Sequence, residues 1–143
     1  MSTRPAPVAT ELELRLVVPG TASVPVAAGL CYDAGDPYAV HVTFRTRGVA
    51  DVSWTFARQL LTDGVSTPAG EGDVSVWPSR TSGRPVVCLS LSSPSGRALF
   101  EVPLDRLVEF LTNTYAAVPT GCESEHIDLD GELAALLSGD AER

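Results

Sequence analysis

The sequence predicts an α+β protein that is rich in strand: two antiparallel sheets built from two halves, each of four strands followed by a helix, with a further helix at the C-terminus. Three observations carry this. Apolar and polar residues alternate with a period of two over most of residues 11–102, the signature of strands with one buried face. Turn residues punctuate the alternation at short intervals, as a meander requires. Near residues 57–64 and 103–115 the period changes to a helical one.

The elements follow in order. Residues 1–9 are small, polar or proline and read as a flexible arm; residues 10–121 form the domain, and residues 122–143 an acidic helical tail. Glu11 to Val18 places Leu12, Leu14, Leu16 and Val18 on one face, and Pro19-Gly20 ends that strand. Ala22 to Tyr32 alternates through Val24 and Val26, but Pro25 suits an edge or a bulge. Asp33-Ala34-Gly35-Asp36-Pro37 is turn chemistry. Strands over 38–45 and 51–56 complete the first meander, with Val40, Val42 and Phe44 facing inward and His41, Thr43 and Arg45 outward. Ala57 to Gly64 is a short helix ended by its glycine. Strands near 65–69, 73–77, 85–92 and 97–102 make the second set, with a turn at Ser93-Pro94-Ser95-Gly96. A helix opens at Pro103, its apolar stripe being Leu104, Leu107, Val108 and Leu111. It ends near residues 113–115, before Val118-Pro119-Thr120-Gly121. In both halves the fourth strand enters its helix almost without a loop, a hint of duplication in topology. Leu129, Leu133, Leu136 and Leu137 share one side of the tail helix.

Charge narrows the function. All ten basic residues are arginines, and the net charge is −8. Residues 122–143 hold seven of the eighteen acids and one arginine, so residues 1–121 are close to neutral. A basic groove for nucleic acid is not expected from this balance. Cys31, Cys88 and Cys122 are odd in number and widely spaced, and they read as thiols of a reducing compartment. Neither a secretory leader nor an apolar run long enough to span a bilayer is visible, so the expected location is cytoplasmic.

Candidate chemistry is sparse. His41 lies mid-strand with no orienting carboxylate recognisable in the sequence, which makes it a surface residue before a general base. No cysteine has a histidine near it in the sequence, and no nucleophile elbow is present. His126 to Gly131 resembles part of a calcium loop, yet its first position is a histidine and its twelfth is Leu137, so an acidic turn capping the last helix is the better reading. Gly70 to Ser75 lacks the glycine, lysine and helix of a phosphate loop. Trp54, Trp77, Tyr32, Tyr38 and Phe44 would form a stacking platform only if they shared a sheet face, and core positions suit them better. No catalytic, cofactor-binding or metal-binding residue is assigned, and no cofactor is expected.

Four ordered blocks carry a resemblance. They are Leu30-Cys31-Tyr32-Asp33 with Asp36 to Val40, Trp54 to Leu61, Gly70 to Arg80, and Leu91 to Gly96. Together they resemble the SsgA-like sporulation and cell-division proteins of filamentous actinobacteria, over roughly residues 11–137. The resemblance implies a whirly-like fold, a homotrimer, and a non-enzymatic role in septation at the division septum. One member of that family helps recruit the division GTPase FtsZ together with an SsgA-like paralogue, and these are the partners implied. Alternation puts Val74 and Val76 inward and Trp77 on the other face, with Pro78 ending the pairing. Trp77, Pro78 and Arg80 are therefore the candidate partner-contact residues. The alternative that the fold resemblance raises is a single-strand nucleic-acid binder.

Overall fold

The computed structural model describes residues 6–20, 22–45, 50–70 and 72–126. Expectations for the first five residues, the calcium-like loop beyond His126 and the tail helix lie outside the described residues.

Seven strands form one antiparallel sheet in the order β4-β3-β2-β1-β7-β6-β5. The first meander comprises β1 (Val8–Leu16), β2 (Val24–Tyr32), β3 (Ala39–Arg45) and β4 (Val52–Ala57). The second comprises β5 (Val74–Thr81), β6 (Arg84–Ser93) and β7 (Gly96–Pro103). Helix α1 (Arg58–Gly64) follows β4 directly, and α2 (Leu104–Ala117) follows β7 directly. The expected strand-into-helix junctions are both present.

The two expected sheets are joined into one, but the join is narrow. Only Arg15↔Glu101 and Leu16↔Phe100 pair β1 with β7, extended by a 2.8 Å bond from the Val17 N–H to the Leu99 carbonyl. Elsewhere the sheet curls until its halves face each other. The rings of Phe44 on β3 and Phe100 on β7 stack with centroids 4.5 Å apart, although β2 and β1 lie between their strands. One core results, filled from both meanders by Leu14, Leu30, Val42, Phe56, Val76, Val87, Leu89 and Val102, with Leu61 of α1 and Leu107 of α2 among them. Both helices thus cover the inner face.

Several boundaries differ from expectation for identifiable reasons. β1 begins at Val8, where Val8 and Ala9 pair with Tyr32 and Cys31, so the arm is shorter than nine residues. Pro25 lies in an interior strand, not an edge. Its neighbour β3 reaches only as far as Ala27, so Pro25 has a strand on one side alone. Residues 65–69 form no strand. The amides of Ser66 and Thr67 bond back to the Asp63 carbonyl, and only Ala69 makes a bridge, to Val76. Gly64 lies inside α1 with Val65 as the C-cap, and its value is proximity. A Cβ at Gly64 would sit 2.2 Å from Val76 Cγ1.

Pro78 does not end β5, which runs on to Thr81. Val76 directs its N–H and carbonyl at Ala69, away from β6. The alternation of a strand turns the Pro78 nitrogen to that same side, so its missing N–H removes no bond to β6. The strand then reverses through Ser82 and Gly83, both at positive φ (52° and 79°), as a two-residue hairpin loop of the primed type demands. On α2 the buried residues are Leu107, Phe110, Leu111 and Thr114, whereas Val108, expected in the stripe, is 39% exposed.

Candidate functional site: an uncovered sheet face and a caged arginine

Among the described residues neither helix covers the outer sheet face, and its two halves differ. Across the second half runs a row of cross-strand neighbours: Trp77 opposite Cys88, Cys88 opposite Glu101, and Glu101 opposite Arg15. Thr81 Oγ1 donates to Glu101 Oε2 at 2.6 Å. Cys88 is buried in this row, and burial, followed by the Glu101 charge, pushes its thiol pKa up. Trp77 is half-buried on the outer face, as expected, and is not among the residues packed against the core. Pro78 is half-buried opposite Val87, and Arg80 is exposed, donating to the Gly83 carbonyl at 3.2 Å. The structure therefore places all three on one edge strand but not on one face: Trp77 lies on the outer side with Ser79 and Thr81, whereas Pro78 and Arg80 lie on the inner side.

The first half of the outer face is polar. Arg45 makes a two-pronged contact with Glu11, at 2.7 and 2.9 Å, across the intervening strand β2. Gly29 on β2 makes room for it, because a Cβ there would stand 2.7 Å from Glu11 Oε2. His41 is exposed, and it does have a carboxylate neighbour that its sequence context hid. Its Nε2 lies 3.2 Å from Asp36 Oδ2 and its Nδ1 3.1 Å from Thr55 Oγ1. Cys31, exposed, stands opposite His41 in the ladder. Both ring nitrogens are already engaged, so neither is directed at the thiol as a base would be. None of the three cysteines forms a disulfide, and among the described residues no group of three His, Cys, Asp or Glu is placed to hold a metal.

The aromatic side chains share no platform. Tyr32 and Phe44 are buried in the core, Trp54 is packed against the core, Trp77 is on the outer face, and Tyr38 is 53% exposed. Stacking of successive bases needs these rings on one accessible surface.

The feature that sequence reading missed is Arg58, the first residue of α1 and only 2% exposed. Its guanidinium lies between two rings, 3.9 Å from the Tyr115 centroid and 4.9 Å from that of Tyr32. Nη1 donates to the Thr114 and Val118 carbonyls at 3.1 and 2.9 Å, at the C-terminal end of α2, where the Thr114 carbonyl also accepts the N–H of the cap residue Val118. Nη2 meets Glu123 Oε2 at 2.8 Å. Tyr115 OH and Thr62 Oγ1 are 2.7 Å apart, and Tyr32 OH donates to the Pro37 carbonyl at 2.9 Å. Burial raises the Tyr32 pKa, with the Arg58 charge opposing it. The Glu123 carboxyl is held below its ordinary range, first by its own backbone N–H, then by Arg58 and the Gly121 N–H. One arginine thus ties β2, α1, α2 and the 3-10 turn Glu123–His126 together.

Among the described residues the architecture is a curled antiparallel sheet closed over its inner face by two helices. The chain belongs to the SsgA family, described as a Streptomyces sporulation and cell division protein, whose model matches residues 26–123. It is 59% identical to the sporulation-specific cell division protein SsgB of Frankia casuarinae over 143 residues, the whole of both chains. It is 56% identical to SsgB of Streptomyces coelicolor over 131 residues, 92% of this chain and 96% of that one. Among solved structures, SsgB from work on mutations that correlate with longitudinal cell division during sporulation of Streptomyces coelicolor superposes with a TM-score of 0.83. That match has 54% identity and covers 89% of this chain and all of the other. An SsgA-like sporulation-specific cell division protein from Thermobifida fusca gives 0.84 at 44% identity, covering 94% and 98%.

Proposed function

We propose that the protein is a non-enzymatic factor of sporulation septation that positions FtsZ at septum sites through protein–protein contacts, acting with an SsgA-like paralogue. It works as a homotrimer in the cytoplasm, at the division septum. Family membership supports the cell-division role, and the observation that supports a contact role is Trp77. A large aromatic side chain outside the core, on a sheet face that neither described helix covers, is the residue type that anchors protein interfaces. Pro78 and Arg80, on the opposite side of the same edge strand, are the other residues of the proposed contact. No observation favours the nucleic-acid alternative: the aromatic side chains are dispersed, and the charge is acidic.

The test is sedimentation of FtsZ polymers with and without the purified protein. The wild-type chain is expected to change polymer mass or bundling, and Trp77→Ala to lose that effect while its circular dichroism stays unchanged. No effect of the wild-type protein on polymers would overturn the reading, as would a folded Trp77→Ala variant of full activity for this residue. Light scattering at micromolar concentration tests the trimer, and a monomer there refutes it.

A further inference from the structure

The sheet has two edges, β4 and β5, and they are guarded differently. On β5, Ala69 pairs with Val76 through two backbone bonds of 2.8 and 2.9 Å, and Pro78 presents no N–H on that side. Proline and short covering segments are ordinary means of blunting an edge. β4 has neither. The Arg58 N–H donates to the Tyr38 carbonyl at 2.7 Å, which fixes the alternation. Phe56, Trp54 and Val52 direct their backbone groups at β3, and Ser53 and Thr55 direct theirs outward. Those outward N–H and carbonyl groups have no partner among the described residues.

Beside this edge lies a groove of about 300 Å³ between β4 and the β6–β7 hairpin. Phe44, Val52, Trp54, Leu91, Ala98 and Phe100 line it, the stacked Phe44 and Phe100 rings among them. Val52 is 47% exposed, unusual for a valine whose strand neighbours point into a core. Arg97 stands at the rim; its Nε donates to Ser92 Oγ at 3.2 Å, and it forms no ion pair among the described residues.

We propose that the β4 edge accepts an extended segment of another protein as an added strand. The segment's main chain bonds to Ser53 and Thr55, its alternate apolar side chains fill the groove, and an acidic side chain meets Arg97. Each element of the arrangement selects one property of the occupant. Backbone groups without a partner among the described residues select an extended chain, period-two pockets select alternating side chains, and a guanidinium with no carboxylate partner among those residues selects a carboxylate. The site is separate from Trp77, which does not line the groove.

The probe is the acetylated, amidated peptide Thr-Val-Glu-Val-Thr-Val, titrated into the full-length 15N-labelled protein. Amide shifts centred on Ser53 and Thr55 are expected, with at least tenfold weaker binding by a peptide carrying lysine for glutamate or proline at its centre. Ser53→Pro should weaken binding at least tenfold while the fold persists, because the Ser53 nitrogen faces away from β3. Should that variant unfold, Arg97→Glu and the proline peptide carry the test. Unmoved Ser53 and Thr55 amides, or full binding by a folded Ser53→Pro variant, overturn the proposal. A concentration-dependent dimer that Ser53→Pro abolishes overturns it as well, by giving the edge to a second copy of the chain.

Discussion

Replacing Arg58 by methionine tests whether the caged arginine holds the two helices together. Methionine matches much of the side-chain volume and removes the charge and all donors, and exchanging a buried charge for an apolar group is often neutral. The structure argues against neutrality here. The Val118 carbonyl loses its bond to Nη1 and stays buried, a loss of about 1–3 kcal/mol. The Thr114 carbonyl suffers less, since it keeps the Val118 N–H at 2.9 Å. Loss of the cation between two rings adds about 1 kcal/mol or more. Against this stands the desolvation of the guanidinium that the variant no longer bears. A net destabilisation of about 3 kcal/mol is expected, or roughly 10 °C in Tm for a domain of this size. Thermal unfolding by circular dichroism, with wild type and variant at the same protein concentration, measures it, because self-association of a chain makes its midpoint depend on concentration. A Tm within about 2 °C of wild type would refute the reasoning and show that α2 needs no external cap.

Gly64→Ala sets helix propensity against packing. Alanine gains about 1 kcal/mol in a helix interior. Its Cβ, however, would lie 2.2 Å from Cγ1 and 2.6 Å from Cβ of the buried Val76, an overpacking that outweighs the gain; urea denaturation should show a lower midpoint, and a higher one sinks the argument. Trp77→Ala should change stability by about 1 kcal/mol or less, since Trp77 lies outside the core; a collapse of the urea midpoint would reassign it to packing. The cysteines should separate by reactivity, with Cys31 labelled by a thiol reagent in the native state and Cys88 only after unfolding, as mass spectrometry of the labelled peptides can read. Because the Cys88 pKa is raised above its ordinary 9.0, the unfolded chain releases that proton first. Stability should therefore fall as pH rises through about 9 and above, and Cys88→Ala should reduce that fall in denaturation curves at pH 8 and 10.

Period and punctuation made the strands readable, because a sheet with one buried face writes its inward residues at every second position. The same logic fails at edges and contacts. Pro78 reads as a terminator unless the Ala69 bridge is known, and that bridge depends on where α1 ends. Ser82-Gly83 was a local signal for the hairpin loop, a pair of residues that tolerates positive φ, and it could have extended β5. Val108 and Phe110 flank the Leu104, Leu107 and Leu111 stripe on opposite sides at helical spacing, and period alone does not say which of the two is buried; the structure buries Phe110. Arg58 was invisible for a different reason. A charged residue at a helix start looks like a solvated one until three carbonyl or carboxylate acceptors and two rings, 26 residues upstream and up to 65 downstream, converge on it. The His41–Asp36 contact likewise requires the turn at Asp33–Tyr38 to fold back along β3.

The cage, the close fit at Gly64 and the open groove are consequences of one closure. Two meanders joined by a two-residue ladder have little backbone to hold their mutual angle. The angle must be held from the far side, where β4 comes round toward β5. At the end of β4 that enters α1, it is held twice, by Gly64 against Val76 and by Arg58 against the end of α2. At the opposite end, where Val52 begins the strand, neither described helix contributes to the groove, and β6 extends past the first residue of β5 to Ser93. The sheet is thus tight where a helix follows the strand and open where a turn precedes it. Loosening the tight end should widen the open one: Arg58→Met, if it folds, should also alter the Trp54 environment at the groove, whereas a purely local cap would leave the Trp54 indole signal of an 15N spectrum unmoved.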